Sequence, residues 1–297
     1  MKNNIKGSLL LLITAIIWGS SFVSQKVGVE VVEPMTFIGL RTLLGSFVLF
    51  PIILIKENFK PDFKSKDLLI GGMLCGIVLC IASLLQTYGM KYIDAGKSGF
   101  LTSLYMVFVP IVGVFLGEKL TIKNIISVFI ALIGMYLLCI KTGFSSINKG
   151  DILVLICAFF FSFHIIVIDK YSPKTDGIKL SCIQFFVAGL LSSIGMIIIE
   201  KPDIDSILIS SGPIAYSGIM SCGIAYTLQI IGQKYAEPTI AAIIMSLESV
   251  FAAISGWLFL NEILTTREFI GCIIVFIAVI YIQLPSLKTL KIKAISK

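Results

Sequence analysis

The chain has 297 residues, of which 57% are hydrophobic and only 14% charged, with mean hydropathy +1.01. So few charges cannot coat a soluble domain of this size. The net charge of +7 needs no nucleic acid to explain it, because basic loops and a basic tail suit an anionic membrane surface.

The apolar residues come in ten runs, at 7–26, 34–55, 68–90, 96–117, 122–140, 151–169, 178–199, 212–234, 238–260 and 266–284. Each is about 20 residues, enough to cross roughly 30 Å of hydrocarbon as a helix. Two lysines precede the first run, and no convincing small-residue cleavage site follows it, so a retained helix is expected rather than a signal peptide. It carries Trp18 near its centre, beside Gly19, Ser20 and Ser21. The second run contains Arg41, about two turns from its start. The third ends in Leu85-Gln-Thr-Tyr-Gly-Met-Lys-Tyr92. The fourth holds Tyr105 and Pro110, with Gly113 and Gly117 spaced for close helix approach, and it closes on Glu118. A polar stretch, Lys141 to Gly150, follows the fifth. Beyond it come His164 in the sixth run, Gln184 in the seventh, Tyr226 in the eighth and Glu248 in the ninth. A tail with four lysines, Lys288 to Lys297, ends the chain.

The eighth run ends in Leu228-Gln-Ile-Ile-Gly-Gln-Lys-Tyr235, which repeats the motif of the third at an offset of 143 residues. Gln86, Gly89, Lys91 and Tyr92 recur as Gln229, Gly232, Lys234 and Tyr235. Five crossings per copy is an odd number, so the second copy must thread the bilayer upside down. The expected fold is therefore an all-α membrane protein of ten transmembrane helices in two inverted five-helix repeats. Residues 1–143 form the first repeat, 144–285 the second and 286–297 a cytoplasmic tail. With the N-terminus inside, sixteen of the 24 Lys and Arg residues fall on the inner side and seven on the outer. The positive-inside rule then sets both termini in the cytoplasm of a cell-membrane protein.

Several motifs carry a family resemblance. They are Ala15-Ile-Ile-Trp-Gly-Ser-Ser-Phe22, Phe100-Leu-Thr-Ser-Leu-Tyr-Met-Val-Phe-Val-Pro-Ile111 followed by Gly117-Glu118, and Ser246-Leu-Glu-Ser-Val-Phe-Ala-Ala253 followed by Gly256 and Glu262. With ten spans and paired halves, the chain resembles the EamA-type group of the drug/metabolite transporter superfamily. The resemblance implies ten helices around a central cavity and the movement of small metabolites. That family usually carries a proline in both the fourth and ninth spans. Here Pro110 is present, but Ser249 stands where a proline commonly follows the glutamate.

Polar groups at membrane depth point to the same places, since a charge in hydrocarbon must be paired or face water. Glu248 is a candidate for proton exchange or cation binding, or else a permanently bonded structural carboxyl. Arg41 can hold a substrate carboxylate through two hydrogen bonds, or form a fixed ion pair with Glu248 or a helix-end carbonyl. Gln184 is its repeat-mate. His164 is either a proton relay or a hydrogen-bonded group across the bundle. Trp18 is a cavity wall or a packing residue. Tyr105, the repeat-mate of Glu248, and Tyr226 offer hydroxyls. Gln86 and Gln229 read as gate or helix-end hydrogen bonders. Glu118 and Glu262, each near a helix end, are expected to clasp the start of the next helix, near Thr121 and Thr265.

All seven cysteines lie inside spans, with no metal-binding spacing, and read as packing residues. One histidine builds no zinc site, and no phosphate-binding loop occurs. No cofactor or metal is expected. The expected function is secondary transport of small organic metabolites, amino acids or related amphipathic compounds, with export from the resemblance and proton coupling from Glu248 and His164. A lipid-handling protein with a laterally open cavity is the alternative. An intramembrane enzyme, which needs a paired catalytic set, is the weakest reading.

Overall fold

The computed structural model describes residues 2–139, 148–259 and 265–284. The expected repeat boundary at 141–147, Glu262 and the tail at 286–297 lie outside the described residues.

Among the described residues the fold is all helical. The first repeat contains α1 (Lys2–Val29), α2 (Pro34–Lys56), α3 (Lys66–Met90), α4 (Ala95–Ser103), α5 (Tyr105–Phe115) and α6 (Ile122–Cys139). The second contains α7 (Lys149–Tyr171), α8 (Gly177–Gly195), a short α9 (Ile204–Ile209), α10 (Ser211–Tyr216), α11 (Thr227–Gln233), α12 (Pro238–Met245), α13 (Glu248–Phe259) and α14 (Thr266–Gln283). A wide π-helical stretch, Ser217–Tyr226, joins α10 to α11 into one crossing. Nine crossings among the described residues are long and apolar enough to span a bilayer, and Ile122–Leu137 is a shorter apolar helix.

Helix starts follow local chemistry. Pro34 and Pro238 open α2 and α12, where a missing N–H is no loss. Ser65 and Asp176 cap α3 and α8. Asn148 with Asp151, and Thr265 with Glu268, form reciprocal capping boxes on α7 and α14. Polarity runs inside out. Phe47, Phe129 and Ile198 face outward, while Thr14, Ser83, His164 and Gln184 are buried. A membrane protein distributes its side chains this way, because lipid solvates apolar groups and leaves polar ones to be satisfied internally.

The helix pairings return with the repeats exchanged. α2 lies against α8, and α6 against α14. α3 packs on α7, and the crossing of α10 and α11 packs on α1 in the matching way. α13 touches α1, as α4 and α5 touch α7. Small residues set the closest approaches. A methyl at Gly134 would lie 2.8 Å from the Gly271 carbonyl oxygen, and one at Gly19 2.4 Å from Phe251 Cβ. The expectation for Gly113 and Gly117 is corrected. Gly117, at φ +91°, turns the chain out of α5 with no described atom within 4 Å of an added methyl, and the nearest described atoms to one at Gly113 belong to the Glu118 side chain, not to another helix.

Two crossings are broken, and at matching points. Leu104 separates α4 from α5, and Ser246–Leu247 separates α12 from α13. At each break the backbone tightens to bonds three residues apart, Leu104 to Leu101 and Leu247 to Ile244. Proline is not the cause. Pro110 lies downstream within α5, and the ninth crossing breaks without one. In the second repeat Ser246 and Ser249 hydroxyls donate to the Ile243 and Ser246 carbonyls, competing with the regular ladder.

Candidate functional site

Tyr105 and Glu248 are the first residues of α5 and α13, immediately after the breaks. Both line a buried cavity between the repeats, with Trp18, Phe22 and Gln25 of α1, Arg41 of α2, Gln86 of α3, Thr102 of α4, Phe161 of α7, and Ser221 and Tyr226 of the π-helical stretch. Its volume is about 30 Å³, room for about two water molecules. A drug-sized ligand occupies pockets of about 300–1,000 Å³. The walls must separate before an organic solute fits.

Glu248 is 3% exposed, and its carboxylate accepts a hydrogen bond from Ser103 Oγ at 3.2 Å. The Tyr105 hydroxyl lies beside the same carboxylate without a well-formed hydrogen bond. No Lys, Arg or His nitrogen lies within 4.0 Å of Glu248 among the described residues. The expected Arg41–Glu248 ion pair is therefore not formed. Arg41 is 2% exposed, its Nε and Nη1 have no hydrogen-bond partner, and its guanidinium carbon sits 5.7 Å from the Phe37 ring centre. An acidic and a basic side chain thus line one cavity without forming an ion pair.

Trp18 packs on Tyr226 with ring centres 4.6 Å apart, and its indole N–H is unpartnered. His164 and Gln184 do not line the cavity. They bond to each other, Nε2 to Oε1 at 3.0 Å, and the His164 ring stands behind Tyr226 at 5.8 Å between centres. His164 is thus bonded across the bundle. Gln86, expected at a gate or helix end, instead lines the cavity and donates to Thr102 Oγ1 at 2.9 Å. The clasp expected of Glu118 is also corrected. Thr121 bonds Asn124 and Thr265 bonds Glu268, so each next helix caps itself. The six described cysteines are buried and free, and no group of three metal-ligating side chains occurs among the described residues.

Sequence reasoning missed Phe22, Gln25, Thr102, Phe161 and Ser221. Two left a signal. Phe161 is the repeat-mate of Trp18, and Gln25 is a strong hydrogen-bonding group within an apolar run.

Two repeats of five crossings, enclosing one charged cavity beside paired helix breaks, define a polytopic membrane transporter. The chain matches the EamA-like transporter family over residues 5–140 and again over 148–284. It belongs to that family, as its motifs led one to expect. It is 32% identical over 276 residues to an uncharacterized transporter of Archaeoglobus fulgidus, covering 92% of this chain and 84% of that one. It is 24% identical to the uncharacterized transporter YoaV of Bacillus subtilis, over 91% and 94% of the two chains. One solved crystal structure shares the fold with a TM-score of 0.76 at 16% identity, covering 93% of this chain and 96% of the other.

Proposed function

We propose that this transporter is a secondary carrier for small organic metabolites, amino acids or related amphipathic compounds. It works by alternating access, with residues 1–143 and 144–285 moving against each other about the cavity. In this reading Glu248, Arg41, Trp18, Tyr105 and Tyr226 contact the substrate, and His164 and Gln184 support Tyr226 from behind. The protein sits in the cell membrane with both termini in the cytoplasm, and export is the working direction.

The observation that carries this reading is the Glu248 carboxyl, buried beside a helix break and hydrogen-bonded to Ser103, with no cationic partner among the described residues. Ionised, such a group needs a counter-charge, and a proton or a substrate ammonium supplies one. Exchanging the two as the cavity faces alternate sides couples proton flow to substrate flow. Reconstituted vesicles test it. After a thermal-shift screen finds a stabilising metabolite, its uptake is expected to rise at least tenfold under an imposed pH gradient. Glu248→Gln is expected to abolish that dependence while binding persists. Uptake indifferent to the gradient, with Glu248→Gln fully active, removes the coupling.

A further inference from the structure

We propose that the Arg41 end of the cavity is a carboxylate-binding subsite, at a point where the two repeats differ by one pair of side chains. This rests on the carrier reading and gives its substrate a chemical class, an organic acid or the carboxylate end of a zwitterion.

The offset of 143 residues that carries Arg41 onto Gln184 carries Ser21 onto His164. In the second repeat these positions bond to each other, imidazole Nε2 to amide Oε1 at 3.0 Å, both fully buried, while His164 Nδ1 and Gln184 Nε2 have no partner among the described residues. In the first repeat the imidazole is replaced by a hydroxymethyl and the amide by a guanidinium. Beyond the Phe37 ring, 5.7 Å from the guanidinium carbon, no carboxylate pairs with that charge among the described residues. Arg41 Nε and Nη1, Ser21 Oγ and the Trp18 indole nitrogen are all buried donors without partners. Trp18, Ser21, Phe22 and Gln25 are spaced three and four apart on one face of α1, and Trp18, Phe22 and Gln25 line the cavity with Arg41. Gln25 adds an open amide oxygen, within reach of an ammonium on the same solute.

The type of charge decides the ligand. Glu248 can discharge by taking up a proton. A guanidinium cannot lose one in a protein, so its burial must be answered by an acceptor. Among the described residues no carboxylate reaches it within 4.0 Å. A planar carboxylate matches the guanidinium fork.

The test uses the full chain in nanodiscs with Trp257→Phe, which leaves Trp18 as the sole tryptophan reporter. Phenylacetate and butyrate are titrated beside their amides, phenylacetamide and butyramide, which match them in shape but carry no charge. Each acid is expected to change Trp18 emission at concentrations at least tenfold below its amide. Arg41→Gln is expected to erase that preference, and Arg41→Lys to retain part of it. The double variant Ser21→His with Arg41→Gln rebuilds the second repeat's pair in the first. It is expected to fold with an unchanged melting temperature and to respond to neither acid nor amide. Equal response to acid and amide, no response to acids, or an acid preference that survives Arg41→Gln overturns the subsite. Acids that bind but never cross a reconstituted membrane overturn the carrier reading alone, whereas acids carried equally well by Arg41→Gln overturn the subsite alone.

Discussion

Glu200, at the end of the eighth helix's π-turn extension, shows what one side chain does for this fold. Its carboxylate accepts from the Met35 and Thr36 amides at 2.8 and 2.7 Å, from Thr36 Oγ1 at 2.8 Å and from Tyr88 Oη at 3.0 Å. It therefore caps α2 from another helix, supplying the acceptor that Glu33 at the N-cap position does not. Glu200→Gln keeps the shape but loses the charge, and is expected to lower stability by about 1–2 kcal/mol, read as a shifted denaturation midpoint. Tyr88→Phe alone is expected to take about 1 kcal/mol, and the double variant less than the sum, because the two share one carboxylate. At this scale the sequence was only partly legible. Glu248, Arg41, Trp18, Tyr105 and Tyr226 were found because polar and aromatic groups at membrane depth stand out against apolar runs. Phe22, Thr102 and Ser221 are ordinary span residues, and their place in the cavity wall depends on helix rotation, which hydropathy does not fix.

At the scale of elements, the ten crossings were readable from run length, but the breaks at Leu104 and Ser246–Leu247 were not. Neither point carries Gly or Pro, and the polar residues at or beside them, Thr102 and Ser103 in one repeat and Ser246, Glu248 and Ser249 in the other, are of types that also occur inside unbroken helices. The partner of the Glu200 cap was also hidden, since it joins loops far apart in sequence. At the other end of α2, Lys179 Nζ lies 2.5 Å from Glu57 and donates to the Asp62 carbonyl, while Lys56 pairs with Asp176 at 2.6 Å. The hydrogen-bonded Lys179 ammonium, helped by the Asp62 amide, holds the Glu57 carboxyl below its ordinary value. Partial burial pushes Asp176 up, but its bonds to Lys56, Lys179 and Ile178 outweigh this and leave it lowered. With both folded pKa values depressed, the unfolded chain binds protons more readily. The latch then contributes fully above the ordinary carboxylate value near 4, and is lost as pH falls through the folded values. The latch's share of the melting temperature, read as wild type minus Lys179→Met, should stay flat from pH 8 to about 5 and shrink below about 4. In Lys179→Met the acid decline should be shallower, and an equal decline in both proteins would discount the latch.

For the whole molecule, these two features are one device used twice. Glu57 and Glu200 are repeat-mates, as are Thr36 and Lys179. Each carboxylate, at the end of one repeat's second crossing, grips the start of the other repeat's matching crossing. The side chains doing the gripping differ, since one repeat uses backbone amides and a hydroxyl where the other uses an ammonium. The pseudo-two-fold sets them at opposite membrane faces, to either side of a cavity of about 30 Å³. If alternating access opens one face at a time, loosening one latch must favour opening at its own face at the expense of the other. Ser221→Cys, in a background whose native cysteines are replaced, puts a thiol in the cavity wall for labelling by a membrane-impermeant maleimide from either side of vesicles. Adding Glu200→Ala is expected to speed labelling severalfold from the face that carries Glu200 and to slow it from the other. Adding Lys179→Ala is expected to do the reverse. Two latch variants that move labelling in the same direction would mean that the paired ends do not govern separate doors, and the symmetry would then be architectural without being mechanical.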